Sequence, residues 1–309
     1  VRVRAKLISA DRENTIWSHN FDFNIDEMFD VQDELVETIV STIVGYVDDE
    51  DVKQLVRVKP ENHTAYDLVL QGLEYHRKSN VTVENAKKAV EFFDKAIEVD
   101  PECARAHAWR ACSLSNYVGW APEEYGENWI DQCADSVIRS LEIDQNDHEA
   151  HRIMGAISLQ RSDFELARHH QERAMELCPS DAYIMGKNAA LLVYLGEPEK
   201  GLEIVQHAMR INPFCPDDFF VDEGMCYFWL EKYSNAANCF RKIKTPSRES
   251  LFYFAATLIK LEEEKKSAET LKQAFKMTDM SVEDFLLTQH YQNPELKQEL
   301  RKILQSIPI

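Results

Sequence analysis

The middle of the chain carries one pattern of small and apolar residues twice, 34 residues apart, in residues 148–179 and 182–213. Small residues let two helices cross closely, and proline cannot continue a helix. Each copy is therefore predicted to be a pair of helices whose second member ends before a proline. The matching residues are Gly155 and Ala189, Phe164 and Pro198, Ala167 and Gly201, Ala174 and Ala208, and Pro179 and Pro213.

Four weaker copies extend the pattern in both directions, so the sequence predicts about six helix pairs. The first has a longer turn between its helices, by about five residues, and the second carries an insertion at residues 117–129. Two more helices are predicted at 282–291 and 294–304, because a stacked array needs a terminal element with one polar face. The weaker copies are marked by Gly72, Ala89 and Phe93, by Ala111 and Cys133, by Gly224, Ala236 and Phe240, and by Ala256 and Ala268.

These positions resemble the tetratricopeptide repeat, a helix-turn-helix unit of 34 residues with small residues at positions 8, 20 and 27 and proline at 32. The resemblance implies a mainly α fold in which the helix pairs stack into a superhelix. The predicted organisation is the end of an α/β domain with its linker at 1–59, tetratricopeptide repeats at 60–281 and capping helices at 282–309.

The first sixty residues follow a different pattern. Apolar and basic residues alternate over residues 1–7, which predicts a half-buried strand. A turn at 11–14 and a second strand at 16–23 complete a hairpin, and an apolar stripe from Met28 to Val47 predicts a helix. A hairpin and one helix cannot close a core alone. We therefore expect a C-terminal piece of a longer protein, cut inside an α/β domain.

The amino-acid sequences of four segments support that expectation. The segments are VRVRAKLISADRENTIWSHNFD, MFDVQDELVETIV, KPENHTAYDLVLQG and FLLTQHYQNPELKQELRKIL. Together they resemble bacterial multidomain signalling proteins in which a TolB-like α/β domain leads through a connector into tetratricopeptide repeats. The resemblance implies an upstream output domain, either a class III adenylate or guanylate cyclase or a winged-helix DNA-binding domain.

Composition narrows the class of partner. The net charge of −19 repels phosphate backbones, so no nucleic-acid binding is expected of this segment. No apolar run reaches the roughly 20 residues that span a bilayer, so no membrane contact is expected of it. Seven cysteines without a CxxC pair favour a reducing compartment, and we expect a cytoplasmic location. The sequence leaves homo-oligomer formation open.

No catalytic constellation and no cofactor motif is found, so we expect neither a catalytic residue nor a cofactor. His148 and His151 stand three residues apart around Glu149, whereas the zinc-protease motif places its histidines four apart. We therefore expect no metal site and no enzymatic activity in this chain.

The candidate site is the concave groove that the repeat resemblance implies. In such arrays the first helix of each pair lines the groove through positions 2, 5, 9, 12 and 13. Tyr, Trp and Arg are the side chains that contribute most often to binding energy. The cations at Arg105 and Arg152 favour an extended or helical partner segment with acidic and apolar residues. Carried onto this sequence, the groove residues are Tyr66, Val69, Leu73, His76, Arg105, Asn116, Arg152, Gln160, Tyr183, Tyr194, Phe228, Trp229 and Tyr253.

Two functions of different kinds remain open at this point. The first is the non-catalytic regulatory region of a cytoplasmic nucleotide cyclase, in which the repeats bind a protein or peptide partner. The second is the partner-binding region of a winged-helix transcription regulator. A free-standing repeat scaffold is a third, weaker alternative.

Overall fold

The structure is a computed structural model that describes residues 2–8, 15–22, 39, 64–79, 82–119, 128–212, 215–278 and 280–308. The described residues form two strands and fourteen helices, so the predicted mainly α fold is confirmed. No helix among these residues is both long enough and apolar enough to cross a membrane.

The N-terminal strands are β1 (Arg2–Ile8) and β2 (Thr15–Asp22), which pair antiparallel with Arg2 opposite Asp22. The register shifts by one residue between Leu7 and Ile8. The predicted hairpin is therefore confirmed in its strands. Its turn and the predicted helix from Met28 to Val47 lie outside the described residues, except that Ile39 is helical.

Along the rest of the chain, the first twelve helices form six consecutive pairs, and two C-terminal helices follow them. The inter-helix turns inside pairs three and four span three residues each, as the 34-residue period predicts. The bounds are α1 Ala65–His76, α2 Val83–Val99, α3 Ala104–Val118, α4 Trp129–Ile143, α5 His148–Gln160, α6 Phe164–Leu177, α7 Ala182–Tyr194, α8 Pro198–Ile211, α9 Asp217–Trp229, α10 Tyr233–Lys242, α11 Arg248–Lys260, α12 Glu264–Thr278, α13 Val282–Leu287 and α14 Pro294–Gln305.

Small residues lie where the paired helices cross, as the sequence predicts. A Cβ atom built on Gly155 would lie 3.2 Å from the Ala167 carbonyl oxygen, and one on Gly201 would lie 2.9 Å from the Ala189 carbonyl oxygen. Ala167 and Ala189 are themselves fully buried. The backbones of paired helices therefore meet directly at these positions, and a larger side chain would push them apart.

The turns inside pairs three to six each contain a left-handed residue. Ser162, Gly196, Glu231 and Glu262 have φ values of 58°, 81°, 56° and 61°. Asp163 follows the first of these turns and caps α6, because its side chain accepts a hydrogen bond from the Leu166 amide at 3.1 Å. Local turn chemistry and helix crossing thus agree on the same repeat boundaries.

The array has no single core. Buried apolar side chains form clusters that succeed one another along the chain, and each is shared by consecutive helices. The last cluster joins α9 and α11 to the two C-terminal helices through Phe252, Phe285, Leu300 and Leu304. Stacking of neighbours therefore stabilises the fold, as expected of a repeat array.

The predicted C-terminal end of one helix is wrong. The helix predicted over 282–291 stops at Leu287, and Thr288 is its C-cap. The Thr288 hydroxyl donates a hydrogen bond to the Phe285 carbonyl oxygen at 2.7 Å. Residues 288–293 then continue outside any helix or strand as far as the start of α14. These six residues, the tail segment, contact helices of the array that lie far away in sequence.

Candidate functional site on the inner wall

The first helices of successive pairs form one continuous layer. Consecutive members of the series α1, α3, α5, α7, α9 and α11 contact each other in turn. The layer also curves back on itself, because the Arg248 guanidinium at the start of α11 donates a hydrogen bond of 2.6 Å to the Gly119 carbonyl oxygen at the end of α3. We call the surface of this layer that faces inward the inner wall.

A buried arginine stands in the middle of the inner wall. The Arg152 guanidinium lies 5.1 Å from the Trp109 ring centroid and 5.3 Å from that of Tyr183. Its Nε donates to Glu149 Oε2 at 2.6 Å. Burial disfavours the charged form, but Glu149 outweighs burial and raises the pKa of Arg152. The arginine is therefore a charged, paired part of the packing between α3, α5 and α7.

A cysteine lies between this arginine and a histidine. Cys112 Sγ is 3.7 Å from His76 Nε2 and 4.0 Å from Arg152 Nη2. His76 Nδ1 lies 2.9 Å from Ser113 Oγ, which fixes the ring. Burial opposes ionisation of the thiol, but His76 and Arg152 together outweigh it and lower the pKa of Cys112 to about 7. The lowered pKa means that this thiol ionises at a lower pH than an ordinary cysteine does.

The next charges along the wall belong to α7 and α9. Lys187 Nζ donates to Asp218 Oδ2 at 2.9 Å. Lys187 lowers the pKa of Asp218, and Asp218 raises that of Lys187 against the opposing effect of burial. One helical turn further on, Asp222 is buried, and its Oδ2 has no hydrogen-bond partner among the described residues. Burial, reinforced by Asp218 and Glu249, raises the pKa of Asp222 to about 8.

The tail segment fills the other part of the inner wall. The Gln292 amide donates to the Tyr194 carbonyl oxygen at 2.8 Å, and Trp229 Nε1 donates to Tyr291 Oη at 3.2 Å. The Tyr291 and Tyr253 hydroxyls hydrogen-bond each other. Gln289 Oε1 accepts from Tyr253 Oη at 3.1 Å. We call the wall beneath the tail segment the filled half, and the rest, from α1 to the first turns of α9, the open half.

This arrangement corrects the predicted groove in two ways. In the filled half, Tyr194, Phe228 and Tyr253 are buried against the chain's own helices or tail segment, and Trp229 is partly buried there with its Nε1 bonded to Tyr291. In the open half, four predicted residues are buried because they pack between neighbouring first helices. These residues are Val69, Leu73, His76 and Arg152.

The remaining predicted residues keep part of their surface exposed. Asn116 Nδ2 donates to Ser79 Oγ at 2.7 Å, and Gln160 Nε2 donates to Ser115 Oγ at 3.2 Å. These five residues are Tyr66, Arg105, Asn116, Gln160 and Tyr183. The acidic partner expected from Arg105 and Arg152 loses much of its basis, because Glu149 already neutralises Arg152.

Sequence reasoning missed Lys187, Asp222 and Glu249. Lys187 and Asp222 stand at position 6 of their repeats, which the repeat resemblance does not assign to the groove. The available signal was the charge itself, since a lysine and an aspartate at a position close to the buried crossing are unusual. Nothing in the sequence marked the contact between Glu249 and Tyr194, whose carboxylate and hydroxyl oxygens lie 2.9 Å apart.

One group of possible metal ligands occurs among the described residues. Ligand atoms of His148, Cys178 and Asp181 all lie within 4.8 Å of one another. Asp181 Oδ1 already caps α7 by accepting from the Tyr183 and Ile184 amides. A thiolate ligand is disfavoured as well, because burial and Asp181 raise the pKa of Cys178.

Comparisons with known proteins agree with this architecture. No family model matches the chain. Among curated proteins, the one named Putative adenylate cyclase 3 of Rhizobium meliloti (strain 1021) is 27% identical over 111 residues. That match covers 35% of this chain and 18% of the other protein, so the chain spans under a fifth of its relative's length.

Two solved structures show the fold. The crystal structure of the APC/C hetero-tetramer Cut9–Hcn1 matches 79% of this chain and 45% of its own, at 15% identity and a TM-score of 0.55. A monomeric mutant of IFIT1 with Gppp-AAAA matches 91% of this chain and 66% of its own, at 15% identity and a TM-score of 0.58. With six stacked helix pairs, two of which repeat at 34 residues, the array has the tetratricopeptide-repeat type of fold.

Proposed function

We propose that this chain is a non-catalytic interaction region that binds a segment of a protein partner along the open half of the inner wall. The observation that carries the proposal is the row of partly exposed aromatic and polar side chains that remains after the tail segment has taken the filled half. Tyr66, for example, keeps 53% of its surface exposed. Tyrosine and arginine are enriched among the residues that contribute most to interface energy. Tyrosine brings a large contact area with only two side-chain torsions.

The wider context that we propose is a cytoplasmic signalling protein with an adenylate or guanylate cyclase upstream. The match to the Rhizobium meliloti protein supports a cyclase over a winged-helix regulator. The net charge of −19 supports a protein partner over a nucleic acid. The upstream reading frame tests this context, because paired metal-binding aspartates indicate a cyclase and a basic recognition helix indicates a regulator.

The binding surface can be tested by site-specific photo-crosslinking in the native cell. A benzophenone amino acid replaces Tyr66 or Gln160 in the open half, and Leu166, which is exposed on α6, provides the matched outer-face control. We expect one protein to crosslink from both inner positions and not from Leu166. Binding of that purified protein is then measured by calorimetry. Equal crosslinking from Leu166, or none from either inner position, would refute the proposed surface.

A further inference from the structure

The open half ends at a buried carboxyl group that lacks a hydrogen-bond partner. Asp222 is 5% exposed, and no described residue donates to its Oδ2. A buried polar atom without a partner destabilises the fold, and more so if it is charged. Such groups are rare in folded proteins, and each calls for an explanation, of which a bound ligand is one.

The charges that face Asp222 are predominantly acidic. Asp218 lies one turn earlier on α9, Glu249 comes from α11, and Lys187 and the Tyr194 hydroxyl come from α7. Lys187 is already paired with Asp218 at 2.9 Å, and Glu249 lies 2.9 Å from Tyr194 Oη. Lys187 pairs with Asp218, and the Arg248 guanidinium acts on Glu249, so Asp222 is the carboxyl group that is left without a direct partner.

The position of this group makes it accessible from the open half. The side chains next to it, Lys187 and Asp218, are 25% and 40% exposed. A ligand that lies along the wall can therefore reach Asp222 past these two side chains. A ligand that donates hydrogen bonds and carries positive charge fits the ionised form of Asp222, whose oxygens only accept hydrogen bonds.

We propose that Asp222, together with Asp218 and Glu249, forms a subsite for one lysine or arginine side chain of the partner segment. This inference rests on the proposed function, since it names the chemistry of a segment bound in the open half. A single charge on a flexible side chain suits the subsite better than a divalent ion, because the neighbouring Lys187 ammonium repels a doubly charged ion about twice as strongly. The bound cation completes the hydrogen bonding of Asp222.

Binding of the cation should release a proton. In the free protein Asp222 is mostly protonated at pH 7, because burial raises its pKa to about 8. A lysine side chain that pairs with it favours the ionised form and displaces the proton. Affinity for a lysine-containing peptide should therefore increase between pH 6 and pH 8, and close to one proton should leave per peptide bound at pH 7.

The experiment uses the full chain and a positional-scanning library of nine-residue peptides with both termini blocked. Wild type, Asp222→Asn and Asp135→Asn are compared. Asp135 is an exposed carboxylate on α4, so the same substitution at this position is a control away from the wall. The best lysine peptide and its norleucine counterpart are then titrated by calorimetry in buffers of different ionisation enthalpy, which counts the released protons.

Three outcomes are decisive. The subsite is supported if wild type and Asp135→Asn both select lysine or arginine at one peptide position. In that case Asp222→Asn should bind the selected peptide with at least tenfold lower affinity and without releasing a proton. Peptide binding without a basic preference, or with one that survives in Asp222→Asn, overturns the subsite and leaves the proposed function standing. Failure of wild type to bind any peptide overturns both.

Discussion

Replacing Asp222 with asparagine should stabilise the protein increasingly as the pH rises. The asparagine amide has the shape of the carboxyl group but cannot ionise. The pKa of Asp222 in the folded state is about 8, against an ordinary value of 3.8. Between these two pH values the folded state holds a proton that the unfolded state has lost. By proton linkage, wild type loses stability over that range as the pH rises, whereas the asparagine variant does not.

The magnitude follows from the same shift. Between pH 6 and pH 8 the unfolded carboxyl group is fully ionised, and the folded one goes from almost fully protonated to half protonated. Each pH unit with one proton of difference is worth about 1.4 kcal/mol. Integration over the two units gives a change of about 2 kcal/mol in the free energy of unfolding, relative to Asp222→Asn.

The assay is urea denaturation followed by circular dichroism at pH 6 and pH 8, because urea does not screen charges as guanidinium does. The quantity of interest is the difference between variant and wild type, in which the other titrating groups cancel. Asp135→Asn serves as the control, and its difference from wild type should stay within about 0.5 kcal/mol at both pH values. If Asp222→Asn differs from wild type by the same amount at both pH values, the reasoning about this buried carboxyl group is refuted.

Three further predictions concern packing, the tail segment and the reactive thiol. Gly155→Leu should lower the free energy of unfolding by about 1–3 kcal/mol through clash with the Ala167 carbonyl, and an unchanged urea midpoint would contradict the repeat register. Tyr291→Ala should cost about 3 kcal/mol and lower the melting temperature, because it empties the centre of the filled half, whereas Leu287→Ala, on the exposed surface, should have little effect. Cys112 should react with iodoacetamide at pH 7 faster than the buried Cys226, because burial raises the pKa of the Cys226 thiol. Peptide mass spectrometry measures both rates, and faster labelling of Cys226 would contradict the described effect of His76 and Arg152 on Cys112.

The sequence by itself determined the helix pairs and their crossing points. Gly155 and Gly201 could be placed from the 34-residue period because each meets a residue twelve positions away, across the turn of its own pair. Contacts over so short a separation recur from one repeat to the next, so their pattern is visible in the chain. The first strand of the hairpin was equally predictable, since alternation of apolar and basic residues is a local signal.

Only the tertiary structure decided which part of the inner wall is available. The tail segment reaches Tyr194 from about a hundred positions away, and Arg248 reaches Gly119 from 129 positions away. These contacts depend on how strongly the array curves, and curvature is the sum of small rotations between successive pairs. No single repeat encodes that sum. For this reason the period identified the inward-facing helices, but it could not show that Trp229 is covered, that Arg152 is neutralised or that Asp222 is left without a partner.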